Sequence, residues 1–94
     1  MQGGFKIAFT DRFKKDYKRL SPDLQRMADQ CIRDLAKDPI PASRRAHRIN
    51  NDQFPKVFSL DVTPNKSHKL SFHIDGDTAW LRRIGTHGDI DRSC

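Results

Sequence analysis

The sequence predicts an α+β fold of two layers, with a helical hairpin packed on one face of a small antiparallel sheet in the order β-α-α-β-β-β. Three observations lead there. Both ends of the chain carry short apolar alternations of period two, residues 11–35 between them carry two consecutive helical stripes, and the connections are short and rich in Pro, Gly, Asn and Asp. Ninety-four residues suit a single domain, 1–94, with room for one two-layer core.

Phe5-Lys6-Ile7-Ala8-Phe9 alternates, so Phe5, Ile7 and Phe9 share one face of a first strand. Thr10 and Asp11 are helix-start residues, and Phe13, Tyr17 and Leu20 then recur on one helical face. Ser21-Pro22-Asp23 stops that helix and opens a second: Ser caps, Pro suits the first helical position, and Asp favours the positive end of the dipole. Leu24, Met27, Ala28, Cys31, Ile32 and Leu35 form its apolar stripe, which Pro39 and Pro41 end. Gln53-Phe54-Pro55 is a break, and Lys56–Thr63 is a strand whose buried face is Phe58, Leu60 and Val62. After a Pro64-Asn65-Lys66 turn, Lys69–Asp75 puts Leu70, Phe72 and Ile74 inward and Lys69, Ser71 and His73 outward, beside Asp61. Asp75-Gly76-Asp77 is a hairpin turn and Ala79–Ile84 the last strand. The chain then runs through Gly85-Thr86-His87-Gly88 into an acidic-basic tail.

With 35% apolar and 32% charged residues, the surface is heavily charged, and no apolar run approaches the eighteen or so residues that cross a bilayer. The opening MQGGFKIAF lacks a signal-peptide pattern, so a cytosolic protein without a membrane partner is expected. Two cysteines without C-x-x-C spacing suggest neither zinc nor a disulfide framework, and no carboxylate cluster has metal-ligand spacing, so neither a metal nor a small-molecule cofactor is expected. Cys31 reads as a core residue and Cys94 as a free thiol on a frayed end. A net charge of +6 and a pI of 9.8 suit phosphate contact, and equally an acidic protein partner.

Two stretches carry candidate chemistry. Arg83 offers a planar fork of donors that fits phosphate, and His87 a side chain that titrates near neutrality, so together they could hold a phosphate and move a proton. The plainer reading makes Arg82 and Arg83 a solvated strand end and His87 a turn residue. In Ala42–Asn51, Arg44, Arg45 and Arg48 surround His47, which reads either as a solvated basic linker or as a phosphate-binding one.

The order of elements, together with Arg83-Ile84-Gly85-Thr86-His87, resembles the RelE/ParE superfamily of toxin–antitoxin toxins, and the ending resembles the Arg-x-Gly-Thr-His of its YafQ-like branch. The resemblance spans Phe5 to about Arg92. It implies the RelE-like two-layer fold and a toxin that enters the ribosomal A site, cuts mRNA there, and is neutralised by a cognate antitoxin. It also implies that Arg83 stabilises the phosphate, that His87 acts as acid or base, and that His47 is a second proton carrier. Metal-free cleavage of RNA by the ribose 2′-OH needs those groups and no protein nucleophile. Two departures from the branch are visible. Ser67-His68 stands where it has Asp-Trp, so His68 is a replacement candidate for proton transfer or stacking, and Asp91 stands where it has an aromatic residue. Arg44, Arg45, Arg48, Lys69 and Arg82 are the expected contacts to RNA and ribosome. The four candidates His47, His68, Arg83 and His87 are expected to converge on the sheet face away from the helices. ParE-like inhibition of DNA gyrase without cleavage, and a catalytically inactive RNA-binding relic, are the competing readings.

Overall fold

Burial of one sheet face under two helices organises the chain, and the sequence explains where each helix begins. In the structure, a computed structural model that describes residues 3–49 and 57–92, β1 spans Lys6–Phe9, α1 Asp11–Lys18 and α2 Pro22–Leu35. Thr10 Oγ1 accepts the Phe13 N–H at 3.2 Å and Ser21 Oγ the Leu24 N–H at 3.3 Å, each satisfying one of the N–H groups that a helix start leaves unpaired. A 3-10 turn at Ala42–Arg44 leads to a two-residue strand β2, His47–Arg48. Then follow β3 (Val57–Asp61), β4 (His68–Asp75), β5 (Thr78–Thr86) and a short helix α3 (His87–Arg92). The predicted break at Gln53-Phe54-Pro55, the predicted strand start at Lys56, and Cys94 lie outside the described residues.

The strands order as β1-β5-β4-β3-β2. β2 through β5 are antiparallel neighbours, and Gly76, with φ of +63°, makes the tight turn between β4 and β5. β1 pairs parallel with β5, so the sheet is mixed and not wholly antiparallel as expected. Most of the chain separates those two strands, so no tight turn dictates their direction. Phe13, Ala28, Cys31 and Leu35 of the hairpin pack on Leu60, Leu70, Phe72, Leu81 and Ile84, as the stripes predicted.

The other face departs from expectation. A polar, open surface was predicted there, yet Val57, Ser59, Asp61, Lys69 and Ser71 are all buried. Part of the cover is α3, which read as a tail: it packs on β4 and β5, and its Ile90 is fully buried outside the hairpin core. Among the described residues, no helix is long and apolar enough to cross a membrane.

Candidate active site

Strand register sets the site. The ladder runs His47↔Ser59, Ser59↔Ser71 and Ser71↔Arg83, so these four residues form one row across β2, β3, β4 and β5 on the face away from the hairpin. Three inter-strand steps of roughly 4.8 Å set the Cα atoms of His47 and Arg83 about 14 Å apart. Directly beside the row, the ladder shifts between Ser71 and Phe72, leaving Arg82 as the extra residue on β5.

His47 is oriented by two bonds. Its Nδ1–H donates to the Arg45 carbonyl at 2.8 Å, and in the neutral ring Nε2 accepts from Ser59 Oγ at 3.3 Å. A carbonyl only accepts, so the Nδ1 proton stays in place whether or not the ring is charged. Ser71, in the middle of the row, has a fully buried hydroxyl without a hydrogen-bond partner.

Arg83 starts in this row, but its guanidinium turns to α1: Nε donates to Asp16 Oδ2 at 3.1 Å and Nη2 to Oδ1 at 3.5 Å. Asp16 is itself buried and also accepts the Ile84 N–H at 3.3 Å. One carboxylate thus fixes both the guanidinium and the edge of β5 that extends beyond its pairing with β1.

His87 opens α3. Thr86 Oγ1 accepts the Asp89 N–H at 3.3 Å, and the His87 N–H donates to the Ser67 carbonyl at 2.9 Å, tying the helix start to the approach to β4. The imidazole Nδ1 lies 2.8 Å from Asp91 Oδ2, one helical turn on, and half of the His87 side chain remains exposed. Asp91 Oδ1 lies 3.8 Å from Lys69 Nζ. Lys69 is two residues from Ser71 on the same face of β4, so the strand position whose side chain meets α3 lies about 7 Å along β4 from the His47–Arg83 row.

Neighbouring backbones of the same shape appear among solved toxins. The RelE–RelB complex of Pyrococcus horikoshii aligns at a TM-score of 0.70 with 8% identity, covering 90% of this chain and 97% of that one. The YoeB dimer of Staphylococcus aureus gives 0.70 with 11% identity over 90% and 99%. The DinJ–YafQ complex of E. coli gives 0.65 with 18% identity over 92% and 97%. This chain has the RelE-like toxin fold. No protein-family model matches the sequence, and no curated protein matches it.

On this RelE-like frame, the predicted site residues divide. His47 and Arg83 share the row, and His87 stands beside it on α3. His68 does not join them: by strand alternation it falls on the side of Leu70, toward the hairpin, and its Nδ1 pairs with Ser67 Oγ at 2.9 Å in a hydroxyl chain that continues to Thr63. Arg48 pairs with Phe58 and so also lies on the hairpin side. Arg44 is engaged within the protein. It is half-buried, donating to Asp34 Oδ2 at 2.8 Å and to the Asp61 and Val62 carbonyls at 3.2 and 3.0 Å, because its side chain bridges α2 to β3. Lys69 is buried and holds Asp91 instead of facing solvent. Arg45 remains well exposed, 3.9 Å from Asp61, and Arg82 donates to His73 Nδ1 at 3.1 Å. That bond needs the Nδ1 lone pair, and burial followed by the Arg82 charge lowers the His73 pKa, both of which favour the neutral ring that stacks on Trp80.

Sequence reasoning missed Asp16 and Asp91. Asp16 follows Phe13 by three residues and so borders the apolar face of α1, a carboxylate position that the Phe13, Tyr17 and Leu20 stripe passes over. Asp91 was noted only for the aromatic residue it displaces, although i,i+4 spacing from His87 was readable. An open apolar groove of about 490 Å³, lined by Phe9, Phe13, Tyr17 and Ile32, lies on the hairpin side and takes no part in this site.

Proposed function

We propose that this chain is the toxin of a bacterial type II toxin–antitoxin pair and a ribosome-dependent endoribonuclease that stops translation by cutting mRNA in the A site. The observation that supports it best is the His47–Ser59–Ser71–Arg83 row with His87 beside it, on a RelE-like fold. The ribose 2′-oxygen attacks phosphorus as His87 Nε2 takes its proton, the P–O5′ bond breaks, and the leaving oxygen takes a proton from the His47 imidazolium. The products are a 2′,3′-cyclic phosphate and a 5′-hydroxyl. Arg83 stabilises the crowded phosphate from a position fixed by Asp16. Ribosome-bound mRNA arrives already positioned, which lowers a barrier by several kcal/mol, and free RNA should be cut slowly or not at all.

A cytosolic toxin of net charge +6 must be restrained by its host, and an acidic antitoxin segment on the positive surface does so economically. Two proteins of the same fold are solved as complexes, RelE with RelB and YafQ with DinJ. Single-turnover cleavage in a programmed ribosome complex tests the reading. His87→Ala should slow it by about two to four orders of magnitude with little loss of fold, since the side chain is half exposed. Arg83→Ala should slow it comparably, while also leaving Asp16 unpaired. A supercoiling assay with purified gyrase runs alongside. Gyrase inhibition with intact mRNA would replace the nuclease with the ParE-like reading, and RNA binding without cleavage or toxicity on expression would leave an inactive relic.

A further inference from the structure

Asp91 sits in the last turn of α3, with about half of its side chain exposed. Its two oxygens are held from opposite sides: Oδ2 by His87 Nδ1 at 2.8 Å and Oδ1 by Lys69 Nζ at 3.8 Å. Lys69 is buried, so the carboxylate is anchored to β4 as well as to its own helix. A carboxylate only accepts hydrogen bonds, so His87 must present Nδ1–H to it. In the neutral ring the lone pair is then on Nε2, pointing away from Asp91.

We propose that Asp91 is a positioning residue that holds His87 in the Nδ1–H tautomer, so that Nε2 is the proton acceptor in cleavage. The assignment rests on the nuclease reading, in which His87 is the base and His47 the acid, and adds the group that sets the base's tautomer. Asp91 also lies beside the imidazolium that forms when Nε2 takes the 2′-OH proton, and so stabilises it, as a carboxylate paired to a catalytic histidine does, here at a half-exposed position. An exposed i,i+4 pair with no such role would contribute only a few tenths of a kcal/mol to the helix.

The decisive variant is Asp91→Asn. Its amide oxygen can still face Lys69, which then turns the NH2 toward His87 Nδ1 and forces the proton onto Nε2, the wrong tautomer for a base. Long-range proton–nitrogen NMR of the imidazole should read mainly Nδ1–H in the unaltered chain and mainly Nε2–H in Asp91→Asn. Single-turnover cleavage on programmed ribosomes should fall about 10- to 100-fold in kcat with KM little changed, as when a group that orients another is lost. Asp91→Glu should recover most of the rate. An unchanged His87 tautomer in Asp91→Asn, or an unchanged cleavage rate, overturns the assignment. Cleavage that falls only in step with thermal stability, with the tautomer as before, also overturns it and makes Asp91 a helix brace. If the unaltered chain cuts no ribosome-bound mRNA, the nuclease reading fails by itself, and the tautomer measurement still decides whether Asp91 sets the ring.

Discussion

At the scale of single residues, side chains of one type divide between structure and surface according to where the backbone puts them. Arg44 and Arg45 are adjacent and equally basic, yet Arg44 bridges α2 to β3 while Arg45, at a φ of +51°, turns outward. Sequence could not separate them, because nothing local to the linker shows that Asp34 comes from another element to meet Arg44. Asp34 responds clearly: burial pushes its pKa up, but hydrogen bonds from Arg44, Lys37 and Gln30 and the Arg44 charge outweigh that and bring it from 3.8 to about 2. A carboxyl held below its unfolded value stabilises the fold fully above pH 4 and loses that contribution as pH falls through 2, worth about 2 kcal/mol here. Arg44→Met should therefore cost about 2 kcal/mol at pH 7, because the buried Asp34 loses its main partner and keeps only Lys37 and Gln30. Urea denaturation of both chains at pH 7, 4 and 3 checks this; the gap should narrow only in the most acidic buffer, and a pH-independent gap would assign the loss to packing. Cys31, by contrast, was legible as core: burial raises its thiol pKa to about 12, against a smaller lowering by Arg44.

At the scale of elements, legibility followed the number of apolar residues. The hairpin and β3–β5 each carry a repeating stripe and were read nearly to their ends, whereas β2 has two residues and α3 one buried apolar side chain, Ile90, so periodicity had nothing to count. The local signal for α3 that the tail reading passed over is its start, Thr86-x-x-Asp89, an N-cap pattern whose Thr86–Asp89 bond is present in the structure. Caps also join elements. Thr10 Oγ1 accepts the Phe13 N–H and donates to the Leu81 carbonyl at 2.8 Å, so it starts α1 and fastens it to β5 with one atom. Ser21 Oγ caps α2 at an exposed position. Thr10→Ala should therefore destabilise by about 2 kcal/mol and Ser21→Ala by about 0.5–1 kcal/mol. Guanidinium midpoints with unchanged m-values give both numbers, and equal losses would mean that the bond to Leu81 adds nothing.

At the scale of the molecule, the two faces of the sheet carry different work, and charge should show it. The hairpin face holds the core and, at the rim, Arg48; the opposite face holds the His47–Arg83 row, Arg45 and the Arg82 bulge. If RNA lies across the second face, each basic side chain touching a phosphate releases a counterion, lowering log K against log salt by about 0.7 per contact on a single strand. Arg45→Ala should therefore reduce the slope by about that amount, while Arg48→Ala leaves it unchanged, although both remove one positive charge from an exposed site of the same linker. A short single-stranded RNA titrated between about 50 and 200 mM salt gives the slopes without needing cleavage. Equal effects would mean that the +6 charge attracts RNA only as a diffuse field, and a loss confined to Arg48→Ala would move the path of the strand to the hairpin side, away from His87 and Arg83.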